Sequence, residues 1–234
     1  MKIVYEADDI NRASEAEQIA AIKKDYKAIQ QIDNPSESVQ LAAIKRSVHA
    51  AGYIKNLKNS SLTVQMAAVS RNGFAIKLIP DPSEALQLAA AQQNGHVIVF
   101  IKNPSDAVQI AAVTNNFNAI QHIVNPSEPV QMAAVQSALN KKDTGAGLYQ
   151  FRINPTPAVQ LLAVRHLPAS LKFIVNPIKE AALIGLLGMI YNDDGSSVAG
   201  IYRGWTKELL VKMYARHPDW DELKTISDSI GVEL

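Results

Sequence analysis

The residue types of this chain that could perform acid–base chemistry or bind a metal ion are its 22 acids and 5 histidines, because it contains no cysteine. Asp143-Thr144-Gly145 matches the tripeptide of aspartic proteases, but that chemistry needs two carboxylates sharing a proton on a β-scaffold. Asp193-Asp194 lacks the oxygen-ligand spacing of a calcium loop. None of the histidines shows metal-ligand spacing; they are His49, His96, His122, His166 and His217. The spacing therefore predicts no catalytic residue, no metal and no cofactor, and it indicates a protein that is not an enzyme.

Composition and charge exclude further classes of site and partner. The absence of cysteine excludes disulfides and thiolate metal sites. A formal net charge of +1 provides no whole-protein field for nucleic acid or an anionic membrane. The start, MKIVYEADD, has no apolar signal segment, and the longest apolar run, residues 181–191, is too short to span a bilayer. These features predict a cytoplasmic protein with no membrane partner.

The elements that would have to position any site are internal repeats, each built around one glutamine. The glutamines are spaced by 22, 25, 22, 22, 22 and 29 residues; they are Gln18, Gln40, Gln65, Gln87, Gln109, Gln131 and Gln160. A degenerate eighth copy begins at Asn176-Pro177, where Ala182 replaces the glutamine. A fixed period of this length is typical of a solenoid, in which each unit buries its apolar face against its neighbours.

Each repeat predicts one α-helix followed by a short helix. In Asn125-Pro126-Ser127-Glu128, the pattern predicts an asparagine N-cap, a proline at N1 and a capping-box glutamate at N3. The helix would run about ten residues, to the turn signals Asn72-Gly73 and Asn94-Gly95. A segment such as residues 119–123 would then form a turn or two of α- or 3-10 helix. The prediction is an all-α protein.

An α-helix rotates by about 100° per residue. With this rotation the repeated glutamine lies in the middle of the apolar side of its helix. A buried amide must find hydrogen-bond partners, so the seven copies predict a structural ladder that bonds backbone groups of an adjacent repeat or of its connecting turn. The alternative is a row of ligand-reading glutamines along an open groove. On the opposite side, the positions two before and two after the glutamine are nearly all small, which predicts that this side is packed as well.

The helix ends predict an exposed basic ridge, which consists of Lys23, Lys24, Lys45, Arg46 and Arg71. Helix starts carry acids instead, as at Glu15, Glu37 and Glu84. The helix dipole alone explains this distribution, because it favours acids at N-termini and bases at C-termini. The functional alternative is that the ridge docks an acidic protein surface or a phosphate backbone.

An insertion and the C-terminal region provide two further candidate surfaces. The insertion carries Tyr149, Phe151 and Arg152, residue types enriched at interface hot spots. Past residue 191 the repeat ends. Residues 192–234 are predicted to form a helical cap, with an aromatic and basic patch as the functional alternative; that patch comprises Tyr202, Arg203, Trp205 and Arg216.

The repeat unit N-P-S-E-x-V-Q-L-A-A-V-x-x-N-G-x-A-I resembles the short repeats of a bacterial and phage family of domains of unknown function, DUF4116. It is also similar in plan to the leucine-rich repeat variant, whose units pair an α-helix with a 3-10 helix in a right-handed superhelix. The likeness covers residues 12–191 and implies a right-handed α-solenoid of about eight repeats. The cysteine-bound iron–sulfur cluster of the variant family cannot be carried over to this chain. The resemblance implies a scaffold of bacterial or phage origin, and no catalytic residue.

These observations predict three domains and one leading function. The domains are an N-terminal lead-in at 1–11, the solenoid at 12–191 and the C-terminal cap at 192–234. The leading function is a non-enzymatic scaffold that presents the basic ridge and the insertion to a protein partner; for a phage protein, a host-directed inhibitor is a natural use. The alternatives are a nucleic-acid-binding solenoid that uses the ridge, and an enzyme of unrecognised class with a site formed by Asp193, Asp194, Arg203 or His217.

Overall fold

The computed structural model describes residues 7–54, 57–141, 155–174, 177–178, 181–182 and 184–185. Every regular element in these ranges is an α-helix or a 3-10 helix, and none is a strand, so the all-α prediction is confirmed. The chain divides into two compact units, Met1–His122 and Ile123–Leu234. The domain boundaries at 12 and 192 stay a prediction, and the C-terminal cap lies outside the described residues.

The first unit alternates α-helices with 3-10 helices. Its α-helices are α1 (Ala7–Arg12), α2 (Glu15–Lys24), α3 (Glu37–Arg46), α4 (Leu62–Arg71), α5 (Glu84–Gln93) and α6 (Asp106–Asn115). Its 3-10 helices are η1 (Tyr26–Gln31), η2 (Ala50–Tyr53), η3 (Leu57–Asn59), η4 (Gly73–Leu78), η5 (Gly95–Phe100) and η6 (Phe117–His122). From α2 to α6, each α-helix contacts the next, and α3, α5 and α6 also contact the 3-10 helix of the preceding repeat.

The second unit contains the same kinds of element. Its helices are α7 (Glu128–Asn140), α8 (Pro157–His166) and the 3-10 helix η7 (Pro168–Phe173). α7 packs against α8, and α8 packs against η7. All three of these helices carry proline in their first turn, where the missing N–H costs no intrahelical bond.

The core of the first unit is formed mainly by three positions of each α-helix from α3 to α6 and by two positions of η1, η2, η4, η5 and η6. In α6 these are Val108, Ala112 and Val113, one before and three and four after the glutamine, and all three are fully buried. In η5 the buried pair is Val97 and Ile98. The side of the helix opposite these positions faces outward. This side was predicted to be packed. That prediction is wrong for the position two residues before the glutamine, because Ser38, Thr63, Ala85 and Ala107 are exposed.

The connecting turns cap the helices differently from the prediction. Serine, rather than asparagine, is the N-cap: Ser105 Oγ accepts from the Val108 N–H at 3.4 Å. The proline therefore precedes the helix, and the acid falls at N1. In three of the turns the residue before the proline has left-handed backbone, with φ of 47° at Asp81, 50° at Asn103 and 49° at Asn125. Asparagine and aspartate adopt this conformation at the lowest cost after glycine, which explains their use here.

The only capping box in the part of the chain that the structure describes is at α2. The Ser14 hydroxyl and backbone N–H donate to Glu17 Oε2 at 2.7 and 2.8 Å, and Ser14 Oγ accepts from the Glu17 N–H. The hydrogen bond from the Ser14 hydroxyl is the main cause that holds the pKa of Glu17 below its usual value, and the bond from the Ser14 backbone N–H is the second. The carboxylate therefore keeps the box closed at neutral pH and releases it as the pH falls through this lowered pKa.

The Asn-Gly pairs lie at the ends of their α-helices, where the sequence predicted turn signals. Asn72 ends α4 with extended backbone, and its side chain accepts from the Phe74 N–H at 3.1 Å, so it also caps η4. Asn94 does the same between α5 and η5, accepting from the His96 N–H at 3.0 Å. The following glycines serve close approach: a Cβ on Gly73 would lie 2.7 Å from the Ala90 carbonyl oxygen of the next helix.

Ser105→Ala should lower the free energy of unfolding by about 1 kcal/mol, because it removes the N-cap bond of α6. It also removes the bond from Ser105 Oγ to Glu84 Oε1, 2.5 Å long. Ser83→Ala is the matched control, since Ser83 is the N-cap of α5 but makes no side-chain capping bond. Urea unfolding followed by circular dichroism measures both; equal losses from the two variants would show that the capping bond contributes nothing.

Candidate interaction surface on the 3-10 helices

The predicted basic ridge lies at the C-terminal ends of three consecutive helices. Lys23 and Lys24 end α2, Lys45 and Arg46 end α3, and Arg71 ends α4, and all five side chains are exposed. Arg46 Nε donates to the Lys23 carbonyl oxygen at 3.1 Å. This bond, with the contacts between α2 and α3 and between α3 and α4, brings the ridge cations to one edge of the unit.

The Arg46 bond is one of several in which the side chain six residues after a repeat glutamine bonds a backbone group of the preceding repeat, near the end of its α-helix. Gln93, at the equivalent position of α5, accepts from the Gly73 N–H at 2.7 Å. Asn115, in α6, accepts from the Gly95 N–H at 2.8 Å and donates to the Gln92 carbonyl at 2.9 Å. Arg46 therefore has a structural role in addition to its exposed charge, and the other four ridge residues are the cleaner probes of binding.

The repeated glutamines direct their amide N–H groups at backbone carbonyls. Nε2 donates to the proline five residues earlier at 2.8–3.0 Å; the pairs are Gln40–Pro35, Gln87–Pro82, Gln109–Pro104, Gln131–Pro126 and Gln160–Pro155. Gln18 donates to the carbonyls of Ile10 and Ala13, and Gln65 to those of Leu57, Lys58 and Ser60. These donors are occupied by the connecting turn that precedes each helix.

Three of these glutamines also accept a hydrogen bond from the connecting turn that follows. Gln131 Oε1 accepts from the Thr156 N–H at 3.3 Å, and Gln160 Oε1 accepts from the Ile178 N–H at 2.8 Å. Gln40 Oε1 accepts from Ser60 Oγ at 2.5 Å. Gln131 and Gln160 are buried, and the other five are half-buried. In this geometry the side chain joins two successive turns.

A surface that the sequence interpretation missed lies along the 3-10 helices of the first unit. Large apolar side chains stand exposed there, at 41% for Phe74, 44% for Leu78, 48% for Val99 and 44% for Phe100. We call the 3-10 band the set of aromatic and aliphatic side chains on the outer side of η1, η2, η4 and η5: Tyr26, Tyr53, Phe74, Leu78, Val99 and Phe100. Exposed apolar groups clustered in this way mark interaction sites more often than single ones do.

The aromatic rings of the band are paired in space. Tyr26 and Tyr53 lie edge to face with centroids 5.7 Å apart, and Phe74 and Phe100 do so at 6.1 Å. Lys77 Nζ lies 4.4 Å from the centroid of Phe100, and Lys27 Nζ lies 6.0 Å from that of Tyr53. Each ring pair therefore carries an ammonium group at its surface, in a cation–π geometry.

The charge on these 3-10 helices has one sign. Lys27, Lys58 and Lys77 are exposed, and η1 to η6 contain no aspartate or glutamate. Asp25 precedes η1, and its carboxylate accepts from the Lys27 N–H at 3.0 Å as an N-cap. The band is thus an apolar strip with lysines along it.

A groove opens in the band where η1, η2, η3 and η4 meet. Its volume is about 440 Å³, and it is lined by Gln30, Gly52, Tyr53, Ile54, Leu57, Lys58 and Leu78. Ile54 and Leu57 are 7% and 3% exposed and form apolar lining at its base, whereas Leu78 and Lys58 are exposed. The groove combines an apolar interior with a polar amide and an ammonium group at its edge.

The 3-10 band could have been found from the sequence by counting positions from each repeat glutamine. A 3-10 helix has about three residues per turn, so the positions ten and eleven after the glutamine are buried and the position thirteen after it points outward. That outer position holds Tyr53, Leu78 and Phe100 in three consecutive repeats. An aromatic or leucine recurring at an outer position is the signal, and it appears only when the short helix is treated as 3-10.

Other predicted site residues fall outside the described residues. These are the insertion residues Tyr149, Phe151 and Arg152, the Asp143-Thr144-Gly145 tripeptide, and the candidates of the C-terminal region, which are Asp193, Asp194, Tyr202, Arg203, Trp205, Arg216 and His217. Within the described ranges no three histidine, aspartate or glutamate side chains come together as a metal site. None of the helices that the structure describes is long and apolar enough to cross a bilayer.

Comparisons of the chain with protein-family models, with curated proteins and with solved structures find no match. The resemblance to DUF4116 and to the leucine-rich repeat variant therefore stays a prediction.

Proposed function

We propose that this protein is a non-enzymatic scaffold that binds a protein partner, and that the 3-10 band is the surface it uses. The observation that carries the proposal is the set of four large apolar side chains exposed on adjacent 3-10 helices, Phe74, Leu78, Val99 and Phe100. Leaving such groups in water forgoes about 25 cal/mol for each Å² of apolar surface. A partner that covers them recovers this free energy on binding.

We propose a right-handed α-solenoid as the architecture that presents the band. The recurring 22-residue spacing of the repeats and the contacts between consecutive helices support it, as do hydrogen bonds such as those from Gln93 and Asn115 to the preceding repeat. A solenoid repeats the same outer position at regular intervals, which suits an extended partner. A cytoplasmic location, membership in the DUF4116 family and a phage host-directed role belong to the same proposal and rest on composition and resemblance.

Protein is favoured over other ligands by the chemistry of the band. Aromatic side chains are enriched at protein interfaces and in their hot spots, and here the rings are already held in pairs, which reduces the entropy lost on binding. A small-molecule site would instead enclose its ligand, with a few convergent polar groups.

Nucleic-acid binding is the second candidate, favoured by the five exposed cations of the basic ridge. Phosphate contacts through lysine and arginine make affinity fall steeply with salt. The rings of the 3-10 band belong to the 3-10 helices, whereas the ridge lies at the α-helix ends, so the two surfaces can be tested separately. The enzyme alternative stays a prediction on residues outside the described ranges.

The test is affinity capture from a nuclease-treated lysate of the source organism, at low and high salt, with identification by mass spectrometry. The band variant is Phe74→Ser with Phe100→Ser, which removes one of the two ring pairs of the band. Lys24→Glu with Lys45→Glu and Arg71→Glu reverses the ridge without touching the Arg46 bond. Leu62→Ser is the matched control, because Leu62 is 59% exposed but lies in the first turn of α4, outside the band.

We expect the native chain, the ridge variant and the Leu62→Ser control to retain a defined protein, and the band variant to lose it by about tenfold or more. The same protein retained by the band variant would refute the proposal for this surface. Recovery of nucleic acid alone from an untreated lysate, lost at high salt and from the ridge variant, would establish the second candidate instead. Circular dichroism of each variant shows that it is folded.

A further inference from the structure

We propose that the groove between η1, η2, η3 and η4 is the docking site for an acidic peptide segment of the partner protein. A large apolar side chain of the segment enters the groove, and carboxylates on either side of it pair with Lys58, Lys27 and Lys77. This inference rests on the proposed function, because it names the partner chemistry that the same surface recognises.

The shape and lining of the groove select an apolar anchor. Its volume of about 440 Å³ lies in the range of roughly 300–1,000 Å³ in which proteins hold ligands, and it accommodates an aromatic or leucine side chain. Ile54 and Leu57, nearly fully buried, provide the apolar base, and Leu78 and the Tyr53 ring stand beside them. Covering Leu78, which is 44% exposed, adds apolar burial on both partners.

The charges around the groove select acids beside that anchor. Lys58 lines the groove itself. Lys27 Nζ lies 6.0 Å from the centroid of Tyr53, which lines the groove. Lys77 directly precedes Leu78, which also lines the groove, and its Nζ lies over the Phe100 ring of the band. Because η1 to η6 contain lysines but no carboxylate, and the Asp25 carboxylate that precedes η1 is engaged by the Lys27 N–H, an acidic segment meets complementary charge along the band.

The groove also offers a group for the peptide backbone. The Gln30 side chain lies at its edge and is exposed, and an amide both donates and accepts hydrogen bonds. A peptide backbone crossing the groove needs both kinds of partner where it leaves water. An apolar anchor, flanking acids and a backbone contact together describe a short linear segment rather than a phosphate chain.

The experiment selects binders from a displayed random peptide library on the full chain, and measures the enriched peptides by fluorescence anisotropy. We expect enriched sequences to contain an aromatic residue or leucine flanked by aspartate or glutamate. Leu78→Asp and Lys58→Glu should each weaken the binding of these peptides, Leu78→Asp by at least about tenfold. Leu62→Asp is the matched control, since it places the same charge on another exposed leucine, outside the band, and it should leave affinity unchanged.

Three results would overturn the inference: no enrichment of any peptide, enrichment of basic or uncharged peptides, or equal affinity for the native chain and Leu78→Asp. Peptides that bind Leu78→Asp normally but are lost from the Phe74→Ser, Phe100→Ser variant would refute the groove and leave the proposed function standing. Failure of the proposed function itself is read separately, from the lysate capture. Thermal unfolding of Leu78→Asp and Leu62→Asp confirms that both variants are folded before affinities are compared.

Discussion

Gly95→Ala should lower the free energy of unfolding of the first unit by about 3 kcal/mol, at the upper end of what overpacking costs. The Cβ it adds would overlap the carbonyl oxygen of Ala112 and press on the backbone nitrogen of Asn116. Both obstacles belong to the backbone of the neighbouring repeat, so no side chain can rotate away to relieve them. The start of η5 must separate from the end of α6, which also weakens the bond from the Gly95 N–H to Asn115 Oδ1.

Two other glycines of the same unit calibrate this effect. Gly52 is exposed in η2, and a Cβ there meets nothing within 4 Å, so Gly52→Ala should be neutral or stabilise the unit by about 0.5 kcal/mol. Gly73→Ala should fall between the two, because its closest obstacle, the Ala90 carbonyl oxygen, is 2.7 Å away. Urea unfolding followed by circular dichroism orders the three. A Gly95→Ala variant as stable as Gly52→Ala would contradict the close approach of the two repeats.

Gln131→Leu should lower the free energy of unfolding of the second unit by about 2–3 kcal/mol. The side chain is 4% exposed, donates to the Pro126 carbonyl at 3.0 Å and accepts from the Thr156 N–H at 3.3 Å. Leucine fills a similar volume but leaves a backbone carbonyl and an N–H without partners in a buried place, and each such group costs about 1–3 kcal/mol. The gain from burying apolar carbon offsets only part of that loss.

Gln136→Leu on the same helix is the control. Its Nε2 donates to Asn140 Oδ1 at 3.1 Å on the exposed side of α7, so replacing it should change stability by no more than about 0.5 kcal/mol. Thermal and urea unfolding compare the two substitutions in one helix. Equal stability of the two variants would show that the Gln131 amide does not join the turns.

Much of the fold could be predicted because the same sequence pattern recurs in several copies. The period of 22 residues predicts helices of about ten residues separated by short ones, and α3, α5 and α6 have that length. Positions such as Val108, Ala112 and Val113 follow from helical periodicity alone. The position of the glutamine inside the apolar arc also predicts that its amide needs a partner, although the choice of the carbonyl five residues earlier depends on turn geometry.

The errors have a common physical origin in the backbone of the connections. Asn-Pro-Ser-Glu fits two capping registers, and the structure uses serine as the cap, with left-handed backbone at residues such as Asn103 in three of the turns. The Asn-Gly pairs were read only as turn signals, whereas Asn94 is an extended cap and Gly95 makes room for a neighbour. The distances between the backbones of adjacent repeats cannot be read from the sequence of one repeat.

The 3-10 band was missed for a related reason. The α-helical period of 3.6 residues does not place Tyr53, Leu78 and Phe100 on one exposed side of a helix. Their shared outward position becomes clear only when the short segments are treated as 3-10 helices. The basic ridge was easier to find because its residues end long helices. The ridge cations are exposed, as predicted, but Arg46 also bonds the preceding helix.

The direction of the bonds between repeats bears on how the chain folds during its synthesis. Gln93 and Asn115 complete the 3-10 helices of the repeats before them, and Thr156 supplies the partner of Gln131. In each case the later repeat satisfies the earlier one. On a ribosome each of these repeats would lack these partners until roughly one more unit of polypeptide had emerged. Maturation would therefore advance from the N-terminus one repeat behind translation.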